Sequence, residues 1–187
     1  MLVGFMGEIG SGKDTAADYL VAKGYIKIAF ADSLKKACKE IFSFEDHQLY
    51  GTQKQKETPD PRWENVTPRK IIQHFGTECM RDVMCKIMPE MDKGIWVKSL
   101  EMKLQPDVDY AVCDTRFFNE AAMIKRRGGI VIKLVRYRDT EASIASHSSE
   151  TEMSKIPFDY LIDNNGTLEE LYSAINMAIM DFKSRNL

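Results

Sequence analysis

Residues 1–15 read MLVGFMGEIGSGKDT, and the fold turns on how Gly7 to Lys13 is understood. Gly7-Glu8-Ile9-Gly10-Ser11-Gly12-Lys13 has the spacing G-x-x-x-x-G-K. It follows the apolar run Leu2–Met6 and precedes a helical run, Thr15–Lys23, closed by Gly24. Strand, glycine loop, helix is the setting in which this spacing makes a phosphate cradle. Gly7, Gly10 and Gly12 remove side chains, so successive backbone N–H groups, that of Ser11 among them, can point at phosphate oxygens. The helix N-terminus adds its partial positive charge. Lys13 then reaches the outer phosphates as a point charge. Asp14 is a departure, because the common loop has Ser or Thr directly after the lysine to bind Mg²⁺. Here the hydroxyl arrives one residue later, at Thr15. A carboxylate in contact with a polyphosphate is repelled, which leaves two roles for Asp14. It holds a water of a magnesium shell, since Mg²⁺ keeps several waters and accepts carboxylates. Alternatively it faces an acceptor while Thr15 serves phosphate or metal. An aspartate favoured by the helix dipole is the plainer reading.

Working outward, short apolar runs alternate with helical patterns. Strands are expected at Leu2–Met6, Tyr25–Phe30, Tyr110–Cys113, Ile130–Val135 and Tyr160–Ile162. Most are near-continuous apolar stretches, as for strands covered on both faces. Thr167 and Glu170 have capping-box spacing, and Leu168, Leu171, Tyr172, Ile175, Ala178, Ile179 and Phe182 trace one stripe of a C-terminal helix. Thr67-Pro68 opens another helix, with the hydroxyl as N-cap and proline in the first turn. Its apolar stripe is expected at Ile71, Ile72, Phe75, Cys79 and Val83. Strands alternating with helices imply crossovers and a parallel sheet of about five strands, an α/β fold. Residues 51–65, with Pro59 and Pro61, read as a long surface loop.

The chain has 187 residues, enough for a single domain with a small insertion. Lys and Arg number 26 against 28 Asp and Glu, a formal charge of −2, so no global basic field points to a nucleic-acid polymer or a membrane. Cys38, Cys79, Cys85 and Cys113 form no C-x-x-C pair, and His47, His74 and His147 are scattered. The cysteines are expected to be reduced and mostly buried, and zinc is not expected. The opening LVGFM lacks the length and basic leader of a signal peptide, and no apolar run approaches a membrane span. The expected location is cytoplasmic.

Nucleoside monophosphate kinases shift the loop hydroxyl in the same way, with G-K-G-T. The G-K-D-T form resembles that of the deoxynucleoside monophosphate kinases known from some DNA viruses. Further stretches are similar to the same family: AFADSLK at Ala29–Lys35, TPRKIIQHFGTECMRD at Thr67–Asp82, and VCDTRFFNEAAMI at Val112–Ile124. GGIVIKLVR at Gly128–Arg136, HSSE at His147–Glu150 and NNGTLEELY at Asn164–Tyr172 complete the set. The resemblance touches most of the chain apart from Ile41–Val66. It implies a P-loop kinase fold that moves the γ-phosphoryl of ATP·Mg²⁺ to a deoxynucleoside monophosphate. An acceptor-binding insertion at about 32–105 and a lid at about 137–153 go with it, and related enzymes make a homodimer an option.

Asp114 closes an apolar strand at the edge where ligands of open parallel sheets bind. It is placed to hold Mg²⁺ through water, and Arg116 to grip a phosphate, as the corresponding residues of nucleotide kinases are thought to do. An acid–arginine pair capping the next helix is the alternative. Arg136 and Arg138 lead into a polar stretch read as a lid that brings arginine to the transferring group and excludes water. On the acceptor side stand Asp32 and Lys35, the row Arg69, Gln73, Thr77 and Arg81 at every fourth position, and Trp63, which either stacks on a base or simply packs. The resemblance puts Asn164, Asn165 and Gly166 around the adenine of ATP. Two rival readings remain: a P-loop kinase for another phosphorylated acceptor such as dephospho-coenzyme A, and a non-catalytic nucleotide-binding module.

Overall fold

The computed structural model describes residues 1–91, 93–137 and 156–185. Arg138, His147 and nearly all of the expected lid lie outside the described residues. The chain divides into two compact units, Met1–Ala29 with Leu104–Leu187, and Phe30–Lys103.

The first unit is built on five parallel strands: β1 (Leu2–Met6), β2 (Ile26–Ile28), β3 (Tyr110–Thr115), β4 (Ile130–Val135) and β5 (Tyr160–Asp163), in the order β2-β3-β1-β4-β5. Helices cover the sheet, so its central strands can be apolar throughout. β1 is buried at all five positions, and Ile130, Ile132 and Leu134 of β4 are fully enclosed. Helix α1 (Lys13–Val21) lays Ala16, Ala17 and Leu20 on this core. The C-terminal helix Leu168–Arg185 adds Leu171, Ile175, Ala178 and Ile179. Tyr19 and Tyr172 stack between these two helices with ring centroids 4.1 Å apart. The capping box forms as expected, with Glu170 N donating to Thr167 Oγ1 (3.2 Å) and Thr167 N to Glu170 Oε2 (2.8 Å). Leu168, expected on the apolar stripe, is exposed.

Two strands differ from expectation in ways that matter for the site. β2 is three residues long rather than six, a short sheet edge of the kind that resists pairing with other chains. β3 continues past Cys113 to Thr115, and Phe5 of β1 faces two of its residues, Cys113 and Asp114. That is a β-bulge. It breaks the alternation of faces, so Asp114 is half-buried while Val112, two residues earlier, is fully enclosed. Because all strands are parallel, their carboxyl ends share one edge. The glycine loop follows β1 there, Asp114 and Arg116 come from the end of β3, Arg136 follows β4 and Asn164 follows β5.

The second unit is helical. Leu34 and Cys38 of the helix Asp32–Phe42 meet Phe44, Leu49, Ile71, Ile72, Phe75 and Trp96 in its core. Residues 51–65 are not an irregular loop. Gln53–Glu57 is a helix with a Thr52/Gln55 capping box, and Pro61–Trp63 is a 3₁₀ turn. Asp60 organises the stretch: Arg62 grips its carboxylate through Nε (2.9 Å) and Nη2 (2.6 Å), and Gln48 Nε2 donates to it at 2.8 Å. These bonds hold the Asp60 carboxyl well below the usual carboxylate range, the Arg62 hydrogen bond acting most strongly.

The helix opened by Thr67 carries a correction to its apolar stripe. Pro68–His74 is α-helical, with Lys70 N donating to Thr67 Oγ1 at 3.2 Å, but Phe75–Val83 is wound as a π-helix. Bonds from i to i+5 place more residues in each turn than the 3.6 of an α-helix. A stripe spaced for an α-helix therefore falls out of phase: Ile71, Ile72 and Phe75 pack on the core, whereas Cys79 and Val83 are exposed. The same winding suits the polar row, since a step of four overshoots an α-turn and falls short of a π-turn. Of the four cysteines only Cys38 is buried; burial pushes its thiol up to about 11.

Candidate functional site

The loop after β1 holds a backbone that only glycine adopts readily. Gly7, Gly10 and Gly12 have φ of 147°, 80° and 100°. A Cβ at Gly7 would overlap the Leu134 carbonyl, and one at Gly12 would overlap Asn164 Nδ2. Asn164 is buried beside the loop and donates to Ser11 O at 2.9 Å, while its own N–H donates to Val135 O at 2.8 Å. Its side chain braces the loop. Ala16 N donates to Gly12 O at 2.9 Å, which starts α1 immediately after the loop.

Lys13 is 8% exposed. Its Nζ donates to Gly7 O (2.8 Å) and Glu8 O (2.6 Å) and lies 3.5 Å from Ser11 Oγ. Burial lowers its pKa to about 8, helped by the neighbouring charge of Arg116 and opposed by Asp14, Asp114 and Cys113. Four of the residues singled out in the sequence, Lys13, Asp14, Asp114 and Arg116, thus share one electrostatic neighbourhood. Charged phosphate oxygens are stronger acceptors for this ammonium than the two carbonyls that hold it. Arg116 begins a tight corner into the helix Phe118–Arg126. Glu120, itself buried, accepts from Arg116 N (2.7 Å) and Phe117 N (3.0 Å).

Asp14 lies on the outer side of α1 with its side chain 79% exposed, in an ion pair with Lys27 at 2.9 Å. Thr15 is half-buried on the same turn, and Arg136 is exposed just after β4. Asn165 accepts from Tyr137 N at 2.9 Å and donates its N–H to Asp163 Oδ1 at 3.0 Å; Gly166 follows beside Glu170. Among the described residues no group of three or more His, Cys, Asp or Glu could hold a metal unaided. The hard oxygen donors Thr15, Asp14 and Asp114 fit Mg²⁺, which typically takes one or two carboxylates together with substrate phosphates.

In the second unit, Lys35 Nζ stands 4.6 Å from the centroid of the Tyr50 ring. Burial, then the nearby Asp32 and Asp46, raise the Tyr50 pKa. Arg69 Nε is 3.1 Å from Glu57 Oε1, an ion pair off the geometry of a hydrogen bond. Gln73 and Thr77 are half-buried and Arg81 is buried. Trp63 packs on Phe42, its Nε1 donating to Phe42 O at 3.0 Å and its ring meeting Phe42 edge-on at 5.2 Å, and its side chain stays partly open to solvent. Lys27, Glu120, Tyr50 and the Asp60–Arg62 fork escaped the sequence reading. The one hint was Lys27, a lone charge between Ile26 and Ile28. No helix among the described residues is long and apolar enough to cross a membrane.

The deoxynucleotide monophosphate kinase family model matches residues 40–175. A protein of Acanthamoeba polyphaga mimivirus, assigned provisionally as a deoxynucleotide monophosphate kinase, is 48% identical over 184 residues, covering 94% of each chain. The deoxynucleotide monophosphate kinase of Escherichia phage RB69 is 35% identical over 112 residues, 57% of this chain and 42% of the phage protein. Shikimate kinase from Aquifex aeolicus shares the fold at a TM-score of 0.50 and 11% identity, over 96% of both chains. The chain belongs to the deoxynucleotide monophosphate kinase family.

Proposed function

We infer that this protein transfers the γ-phosphoryl group of ATP to a deoxynucleoside 5′-monophosphate, giving the diphosphate and ADP. The observation that carries the reading is the enclosed Lys13 ammonium, held by loop carbonyls at the start of α1 with Arg116 and Asp114 as its electrostatic neighbours. The amides of Gly7, Gly10, Ser11 and Gly12, with Lys13 and Thr15, bind the donor phosphates. Arg116 and Arg136, with Arg138 beyond the described residues, neutralise charge that develops on the moving group. Asn164, Asn165 and Gly166 lie along the donor base, and the Asn164 side chain also keeps the loop in shape.

Asp32, Lys35, Arg69, Gln73, Thr77 and Arg81 form the acceptor set, with Trp63 beside them as a candidate base contact. Thr15 and Asp114 are the residues that would hold Mg²⁺, which accompanies ATP and offsets phosphate charge, while Asp14 is engaged by Lys27. Phosphoryl transfer needs positioning and electrostatic stabilisation more than covalent help. An acceptor phosphate oxygen, already ionised at neutral pH, bonds to the γ-phosphorus as the bond to the β–γ bridging oxygen breaks and ADP leaves. No general base is needed. ADP formation with each deoxy- and ribonucleoside monophosphate and with dephospho-coenzyme A tests the reading. Deoxynucleoside monophosphates should raise ADP release well above the acceptor-free rate. Turnover with a non-nucleotide acceptor alone would refute the substrate, and no acceptor dependence would refute the kinase.

A further inference from the structure

β2 contributes one charged residue, Lys27, and its ammonium is shared by two carboxylates. Asp14 Oδ1 and Asp18 Oδ1 each lie 2.9 Å from Lys27 Nζ. The two aspartates are one helical turn apart on α1, an arrangement in which like charges repel. Burial opposes the charge on Lys27, and its hydrogen bonds to Asp14 and Asp18 outweigh that, leaving its pKa above the ordinary lysine value. Among the described residues β2 is an edge strand paired only with β3, so the bridge draws Asp14 toward the margin of the sheet. Consecutive helical residues point about 100° apart. Lys13 accordingly turns inward to Gly7 and Glu8 while Asp14 turns out to Lys27.

An anion at the first turn of α1 would cancel the partial positive charge that this helix end offers a polyphosphate. We propose that Lys27 is a positioning residue of the donor site. It pins and offsets the Asp14 carboxylate at the β2 margin, so that the loop amides and Lys13 meet the polyphosphate against a reduced negative charge. The proposal rests on the reading of the loop as an ATP site. A bridge that merely fastens β2 to α1 would contribute little, as most exposed ion pairs do, and would act through Asp18 as readily as through Asp14.

Equilibrium ATP binding, KM for ATP, kcat and melting temperature separate these roles. The variants are Lys27→Met, Lys27→Arg, Asp14→Asn, Asp18→Asn and the two doubles that combine Lys27→Met with each aspartate change. Lys27→Met should weaken ATP binding up to about fivefold and raise KM in step, with kcat less affected. Lys27→Arg should restore affinity to within about twofold. The loss should disappear in the Asp14→Asn background and persist in Asp18→Asn, a coupling that the double-mutant comparison isolates. A loss that survives Asp14→Asn, that vanishes with Asp18→Asn, or that shows only in melting temperature overturns the proposal. If wild-type protein binds no ATP, the loop reading and the proposal fall together. If it binds ATP and Lys27→Met binds equally well, only the proposal falls.

Discussion

The ammonium of Lys13 stands among opposing influences. Burial and Arg116 disfavour its charge, Asp14 and Asp114 favour it, and its pKa falls from 10.5 to about 8. The sign of the consequence is set by proton linkage. Polyphosphate favours the charged form, so binding above pH 8 must recruit a proton. The ATP dissociation constant should be nearly flat from pH 7 to 7.5 and then rise by up to about tenfold per pH unit above pH 8. ATP titrations across pH 7–10 check this, with Lys13→Ala as the control that loses the slope. That variant should also lose about 10²–10³-fold in kcat, by comparison with removal of a preorganised oxyanion donor; turnover like wild type in a folded Lys13→Ala protein would remove Lys13 from the site. Between pH 8 and 10.5 the unfolded chain binds more protons at this residue than the folded one, so its contribution to stability rises with pH.

At the scale of elements, the π-wound segment is closely packed at Gly76. Gly76 is buried in it, its carbonyl accepts from Trp96 Nε1 at 2.9 Å, and a Cβ there would overlap Leu34 Cδ2. Gly76→Ala should destabilise by about 1–3 kcal/mol through overpacking, read as a lower denaturation midpoint in urea at unchanged slope. A variant as stable as wild type would mean that Leu34 yields without strain. This segment also shows what the sequence could and could not convey. Apolar runs announced β1 and β4 to the residue, because enclosure on both faces demands continuous apolar side chains. The Thr167–Glu170 box and the Thr67-Pro68 start were equally plain, since caps are local chemistry. The π-winding was not, because the spacing of its apolar and polar residues is equally compatible with an α-helix. The bulge at Cys113–Asp114 depends on pairing with Phe5. For the same reason the glycine loop and Lys13 were legible as a site, whereas the Lys27 bridge to Asp14 and the Asn164 brace needed the fold to bring distant residues together.

At the scale of the whole molecule, a parallel sheet gathers the glycine loop, Asp114, Arg116, Arg136 and Asn164 at the carboxyl ends of its strands. A helical unit, Phe30–Lys103, carries the proposed acceptor residues. Both substrates are anions, and the enzyme's net charge is −2, so attraction must come from local cations rather than a global field. ATP labelled in its γ-phosphate, incubated with this protein, Mg²⁺ and a deoxynucleoside monophosphate, tests that account most directly. The label should appear as the β-phosphate of the deoxynucleoside diphosphate, in step with ADP. Label released only as inorganic phosphate, or left in ATP whichever monophosphate is supplied, would contradict it.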